Sequence, residues 1–474
     1  MKLTIDPKKK LNTLRGGIGA SWHAIDYEVS YDNGAYDYPA RLVNPRGSAI
    51  GGNPPVRNEE AWRQICAHAS WLGINWLRVE LMQHMYEPRR REFRWESEAM
   101  QPLYRILDWC EQQGADVFLQ QMWTEVAWNA YPDVHPLISA PYSLDEYAFG
   151  IGSLLEYLTR ERGYTCIKYF CITNEPPGGT WGYWWCAGHH LEAGLLAAAL
   201  KRVRGQLDSR GIAIPLSGPD WTDLPPFDEG KPADIEPSLG ALDIHSYTRI
   251  DEKGGAILAE WADHAHRSGK PFFLTEFGNM ALGWGGDHPG PTTPDAVFSN
   301  AEAVIRGLNA GVDAFNRWSF TNRGDMDGQW QLLRTWDREN KVHLDEVLPE
   351  PGPYYGFALL ARFLPKGADV LACEAGGGSE GLLTAAISES GETTVFVLNM
   401  GGDPASLDLR ALGCEERPFH HYSLTGEALG GDGAALEGTP VKPDGSGSWH
   451  VPIAPRSLST VSTRVLGHAE NGLV

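Results

Sequence analysis

Residues 164–179, YTCIKYFCITNEPPGG, read as a buried strand that ends in a carboxylate. Apolar and β-branched residues run from Thr165 to Thr173, and Pro176 and Pro177 stop the run. Neither proline has an N–H to give to a strand ladder, so Asn174 and Glu175 emerge at the strand tip. Residues 271–278, PFFLTEFG, repeat the arrangement, with Glu276 at the tip and Gly278 behind it. Each strand delivers one glutamate at the same end, and the rest of the chain reads as the frame that brings the two together.

Outward from these strands, helix-then-strand units recur. Trp62, Ile65, Cys66, Ala69 and Leu72 have helical spacing, Gly73 ends that helix, and INWLRVEL follows as a strand. A helix through Leu103, Ile106, Leu107 and Cys110 ends at Gly114 before ADVFLQQMW. Another opens with a capping box, Ser143-x-x-Glu146, and ends at Gly163, and a fourth covers about 189–210. Glycines 73, 114, 163, 211, 240, 269 and 311 each introduce a strand, and Arg15–His23 reads as a glycine-rich first strand. The unit over 211–240 holds Pro225, Pro226, Pro232 and Pro237, which predicts an irregular helix.

Eight such strands with helices between them predict an α/β fold of the (β/α)₈ TIM-barrel type. A doubly wound open sheet uses the same units but carries a phosphate-binding glycine loop after its first strand. GGIGAS at 16–21 lies inside the first strand with no helix directly behind it, and matches that loop poorly. Composition changes near Leu348. YYGFALLARFLP reads as a last amphipathic helix, and from Ala368 short alternating runs separated by Gly, Asp, Ser and Pro predict an all-β sandwich. The expected division is a catalytic barrel over 1–350 and a linker helix with C-terminal sandwich over 351–474. A strand at Leu3 and Ile5, within residues 1–14, is expected to pair into the sandwich.

Charge and composition exclude several function classes. The formal net charge is −21, and the basic runs are only Lys8–Lys10 and Arg89–Arg91, so a nucleic-acid partner is not expected. The seven Cys are scattered and odd in number, which suits small buried hydrophobes in a reducing compartment. No apolar run is long enough to span a bilayer and the start lacks a leader-like apolar stretch, so the expectation is a cytoplasmic protein. The 18 Trp are the more telling count, because Trp stacks well on flat ligand faces.

In a (β/α)₈ barrel, chemistry sits at the C-terminal ends of the strands, where both glutamates fall. Retaining cleavage of a glycoside needs two carboxyl groups about 5–5.5 Å apart, one to donate a proton and one to attack the anomeric carbon.

The motifs are specific enough to carry a resemblance. Asn174-Glu175-Pro176, His245-Ser246-Tyr247, Thr275-Glu276-Phe277-Gly278 and Trp318, at the tips of the fourth, sixth, seventh and eighth strands, resemble the signature of the retaining glycoside hydrolases of clan A. The HSY and TEFG wording is nearest to the cellulase-like family 5, while PYYGFALLARFLPKGADV and the module behind it are similar to family 30. The resemblance implies that Glu175 is the general acid and base and Glu276 the nucleophile. It implies that Asn174 holds the sugar 2-hydroxyl, and that Arg78 sits beside the nucleophile and keeps it ionised. It further implies that Tyr247 hydrogen-bonds Glu276, that His245 binds substrate or supports the acid, and that Trp318 floors the sugar subsite. Trp123 stands where the family often has a histidine or other polar residue, and reads as an aromatic subsite wall.

Trp181, Trp184 and Trp185 read as wall or lid residues, and Trp22 and His23 as further candidates at the first strand. Asp325, Asp327 and Gly328 hint at a calcium loop, but no Glu stands at the required offset, which favours a solvated turn. His189 and His190 have no evident metal partners. The resulting expectation is a carbohydrate-cleaving retaining β-glycosidase without a cofactor. The alternatives are an inactive carbohydrate-binding barrel and a metal-dependent barrel hydrolase.

Overall fold

The computed structural model describes residues 1–24, 53–123, 126–132, 134, 136, 139–176, 185, 194–230, 232–282, 290–321, 330–337, 340, 342–376, 381–414, 417–426 and 436–466. Its first strand, β1 (Lys2–Thr13), is far longer than Leu3 and Ile5 alone predict. β1 pairs with strands of the C-terminal sheet through residues 2–5 and 10–13, and the register shifts between Ile5 and Lys10, around Pro7.

Eight parallel strands then close into a barrel: β2 (Ile18–His23), β3 (Trp76–Met82), β4 (Asp116–Trp123), β5 (Ile167–Cys171), β6 (Leu216–Trp221), β7 (Ala241–Ser246), β8 (Phe272–Phe277) and β9 (Ala314–Arg317). Between and after them run α1 (Glu59–Trp71), α2 (Gln83–Tyr86), α3 (Gln101–Gln113), α4 (Leu144–Glu156), α5 (Leu195–Ser209), α6 (Phe227–Gly230), α7 (Glu252–Arg267), α8 (Pro294–Ala310) and α9 (Pro351–Ala361). The proline-rich unit forms only the four-residue α6 and a short 3₁₀ turn.

Six of the seven punctuating glycines, 73, 114, 163, 211, 269 and 311, have positive φ, which turns the chain from helix towards strand without a Cβ penalty. Gly240 does not; a Cβ there would stand 2.5 Å from Pro215 Cβ, so close packing explains it instead. Gly19 is likewise a packing residue, since an added Cβ would run into the Trp76 carbonyl. Ser143 caps α4 as expected, but Glu146 pairs with Arg90 and Arg91 rather than reaching back to complete the box.

Strand alternation decides what faces the barrel axis. Trp76, Phe118, Cys171, Ala241, Phe273 and Ala314 form a closed apolar layer near its base. Two residues further up the strands come Arg78, Gln120, Asp243 and Asn316, and above them Glu80 and His245. Apolar residues thus plug the base, and ionisable ones fill the C-terminal mouth.

Beyond the β10 (Leu333–Asp337) and β11 (Val342–Pro349) hairpin lie β12 (Asp369–Gly376), β13 (Leu382–Glu389), β14 (Glu392–Asn399), β15 (Ala405–Ala411), β16 (Phe419–Thr425), β17 (Thr439–Val441), β18 (Trp449–Ile453) and β19 (Ser457–Ser462). With β1 they form one nine-stranded sheet in the order β17-β16-β19-β14-β13-β12-β1-β15-β18. The sheet curls on itself, so that Phe419 near one end meets Trp449 at the other with ring centres 4.8 Å apart. In β14, Val395 and Val397 face this inner core while Phe396 and Leu398 join the barrel's core, which explains a strand apolar on both faces. The helix α9 is wedged between α8 and that sheet and is buried almost all round, so it is not amphipathic.

Candidate active site

Two β-bulges re-aim side chains into the barrel mouth. In β8 the register against β7 slips between Leu274 and Glu276, leaving one extra residue, so Glu276 rather than Thr275 continues the inward row from Phe273. In β6 the pairs Pro219–Asp243 and Trp221–Ile244 leave Asp220 as the extra residue, at φ 59. Glu175, at the tip of β5, has φ 43, a left-handed conformation that a non-glycine residue keeps only when its surroundings hold it. Its N–H donates to Asp220 Oδ2 at 3.1 Å.

The two glutamates meet. A carboxylate oxygen of Glu175, a ring nitrogen of His245 and a carboxylate oxygen of Glu276 all lie within 4.8 Å of one another. Arg78 Nη1 donates to Glu276 Oε1 at 2.5 Å and also to Glu80, and its Nη2 donates to Asn174 Oδ1 at 2.7 Å. Tyr247 OH donates to Glu276 Oε2. His245 Nδ1 lies 2.9 Å from Glu175 Oε1 and 3.5 Å from Glu276 Oε2, and its Nε2 lies 2.9 Å from Asp220 Oδ1. Trp318 is 3 % exposed, edge-on to His23 at 5.1 Å and beside the Arg78 guanidinium at 5.9 Å. Glu175, with a side chain 20 % exposed, is the more open of the two glutamates; that of Glu276 is 4 % exposed.

Burial dominates the electrostatics. It pushes the Glu276 carboxyl up to about 7, against the lowering pull of Arg78 and His245 and with Glu175 and Glu80 adding to the rise. Arg78 acts in the expected direction, favouring the ionised form, and does so against a larger effect of burial. Burial alone would lower His245, but Glu276, Asp220 and Glu175 raise it well above the usual histidine value. Burial would raise Asp220, yet His245 and Arg78 hold it below the usual carboxylate range. Asp243, behind it, is pushed up to about 7 by burial and by Asp220.

The Glu175, His245 and Glu276 trio could in principle ligate a cation. The donor set does not fit that use, because a guanidinium already sits on one oxygen of Glu276 and a phenol donates to the other.

Seven of the eight residues singled out in the sequence fall within this cluster: Asn174, Glu175, Arg78, His245, Tyr247, Glu276 and Trp318. The eighth, Trp123, ends β4, and its side chain lies outside the described residues, as do Trp181, Trp184, His189, His190 and the segment Asp325–Gly328. Two further expectations are corrected. Trp22 has the opposite strand parity to His23, so it faces the helices, where Nε1 donates to Asn53 and the ring packs on Trp62 and Phe320. Trp185 is buried against Tyr147 of α4 rather than lining an open wall.

Sequence reading missed Gln120, Asp220 and Asp243. Glu80 was legible as the alternate neighbour of Arg78 in LRVEL, and its carboxylate also meets His23 Nδ1 at 2.5 Å. Asp220 sits at the end of IAIPLSGPDW, but only the bulge shows that it points inward.

A family model described as cellulase (glycosyl hydrolase family 5) matches residues 43–304. None of the curated proteins matches the sequence. Among solved structures, a GH30 endoxylanase from Clostridium papyrosolvens C71 is 13% identical with a TM-score of 0.65, over 98% of this chain and 99% of its own. The catalytic domain of GH30 xylanase C from Talaromyces cellulolyticus is 14% identical with a TM-score of 0.64, over 98% and 100%. A GH39 β-xylosidase from Caulobacter crescentus is 11% identical with a TM-score of 0.62, over 98% and 99%. These structures share the fold of the whole chain, the C-terminal sheet included.

Proposed function

The chain belongs to glycosyl hydrolase family 5 and is a glycoside hydrolase, and from that premise we propose that it cleaves β-glycosides with retention, using Glu276 as nucleophile and Glu175 as acid and base. The observation that carries this reading is the close approach of the two carboxylates, with both oxygens of Glu276 engaged by donors and Glu175 the more exposed. Two carboxyl groups this near leave no room for a water between them and the sugar, which disfavours the inverting route.

In the first step Glu276 forms an ester bond to the anomeric carbon while the glycosidic C–O bond breaks and Glu175 gives its proton to the departing oxygen. In the second, water adds its oxygen to the anomeric carbon and its proton to Glu175, and the Glu276 carboxylate leaves. Arg78 and Tyr247 hold Glu276 in line and stabilise its charge whenever the ester is broken. In this reading Asn174, itself held by Arg78, meets a sugar hydroxyl next to the reacting carbon, and Trp318, packed beside His23 and Arg78, is the aromatic residue at the sugar ring.

The test is nitrophenol release from a panel of aryl β- and α-glycosides by the wild type, Glu276→Gln and Glu175→Gln. Turnover of one or two β-glycosides, reduced by several orders of magnitude in Glu276→Gln, supports the assignment and names the sugar. Equal release by all three proteins removes it.

A further inference from the structure

Two buried carboxylates, Asp220 and Asp243, stand behind the glutamates and take no direct part in the steps above. Asp220 is fully buried, yet it is the extra residue of a β-bulge and sits at φ 59. The fold holds a non-glycine residue in that conformation only because its contacts fix it there. Its Oδ1 meets His245 Nε2 at 2.9 Å, and its Oδ2 accepts from Gln120 Nε2 at 2.9 Å and from the Glu175 N–H at 3.1 Å. Its own N–H donates to Asp243 Oδ1 at 2.7 Å. One side chain thus grips both the backbone of Glu175 and the far side of the imidazole that faces the Glu175 carboxylate.

We infer that Asp220 is a positioning residue for acid–base catalysis, fixing His245 so that its Nδ1 shares one proton with Glu175. The inference rests on the reading of Glu175 as the acid and base. Proton accounting follows from the two ring nitrogens, each of which faces a carboxylate. With the shared proton on Nδ1, Glu175 is charged and the ring is an imidazolium; once that proton has passed to the leaving oxygen, Glu175 is charged and the ring is neutral, with hydrogen on Nε2 alone until water returns a proton. With Glu175 neutral, the shared proton lies on its Oε1 and Nδ1 accepts it. Nε2–H points to Asp220 in each of these states, so Asp220 stays ionised and only one proton moves. Asp220 also raises the proton affinity of the ring; Glu276 acts in the same direction, while Arg78, Tyr247 and Asp243 complete the surrounding polar set.

The experiment compares wild type, Asp220→Asn and Glu175→Gln on two β-glycosides of the preferred sugar, one with an alkyl leaving group and one with dinitrophenol. Asparagine tolerates a left-handed φ, so Asp220→Asn removes the charge with little backbone penalty. The expected result is a loss of roughly 100-fold in kcat/KM on the alkyl glycoside, which needs a proton, and under about 5-fold on the dinitrophenyl glycoside. The basic limb of the kcat/KM profile also moves to lower pH. Equal losses on both substrates with an unmoved limb make Asp220 a structural residue and overturn the inference, while Glu175→Gln still shows the leaving-group selectivity. If Glu175→Gln lacks that selectivity too, the acid–base reading itself falls. Should Asp220→Asn fail to fold, ¹⁵N NMR of histidine-labelled wild type decides, with His245 assigned by its loss in His245→Asn. Hydrogen on Nε2 at pH 7, with or without a second proton on Nδ1, supports the arrangement, and a neutral ring bearing hydrogen on Nδ1 alone contradicts it.

Discussion

Arg78 Nη1 lies 2.5 Å from Glu276 Oε1, and the same guanidinium reaches Glu80 and Asn174. One fixed cation, from the middle of β3, therefore ties that strand to the strand tips that carry both glutamates. Arg78 lowers the Glu276 carboxyl from where burial would leave it, and the balance stands at about 7. The nucleophile must be ionised, so kcat/KM is expected to fall on the acid side through this region. Arg78→Gln removes the lowering charge and should move that limb to higher pH, besides reducing the plateau. A pH profile with the acid limb unchanged would count against the pairing.

Tyr247 donates to the other oxygen of Glu276, and its phenol is pushed well above the usual tyrosine range by burial and by that carboxylate. It stays a donor across the working pH range. Tyr247→Phe should cut kcat by roughly 10–100-fold with KM changed far less, since the bond matters most when Glu276 leaves the sugar. Steady-state kinetics on the preferred aryl glycoside checks this, and a pure KM effect contradicts it.

Both oxygens of Glu276 are already engaged by Arg78 and Tyr247. Prolonged dialysis against a chelator is expected to leave kcat/KM unchanged, and recovery of lost activity by one divalent metal would reverse that conclusion.

The barrel was legible because parallel strands buried on both faces give unbroken apolar runs, and because left-handed glycines mark where helix turns to strand. Glu175 and Glu276 could be found from strand tips alone. Asp220 could not, since simple alternation misaims it and the bulge that corrects this comes from pairing with β7. The same parity rule, applied to β2, would have separated His23 from Trp22 in advance. The depth of α9 was hidden for another reason: PYYGFALLA looks like a helix with one apolar face until the sheet behind it supplies a second.

His68 on α1 gives a stability test independent of catalysis. It is 7 % exposed, shares a hydrogen bond with Tyr354 OH of α9 at 2.8 Å, and is pushed down to about 4 by burial. A histidine lowered on folding favours the neutral form. Its contribution is complete above the unfolded value of 6.5 and is lost as pH falls from there through about 4. Between pH 7 and pH 4 the wild type should therefore lose more stability than His68→Gln, by on the order of 2–3 kcal/mol. Denaturant unfolding at both pH values measures the difference, and parallel losses would show that His68 does not titrate in this way.

In the proposed reaction Glu276 bonds covalently to the sugar. The most direct measurement is peptide mass spectrometry after incubation with 2-deoxy-2-fluoro-β-glycosyl fluorides covering glucose, galactose, mannose and xylose. One of these sugars should leave an adduct on the Phe272–Phe277 segment at Glu276, absent in Glu276→Gln. An adduct on Glu175 or Glu80, or hydrolysis of a β-glycoside to the inverted anomer, would contradict the account.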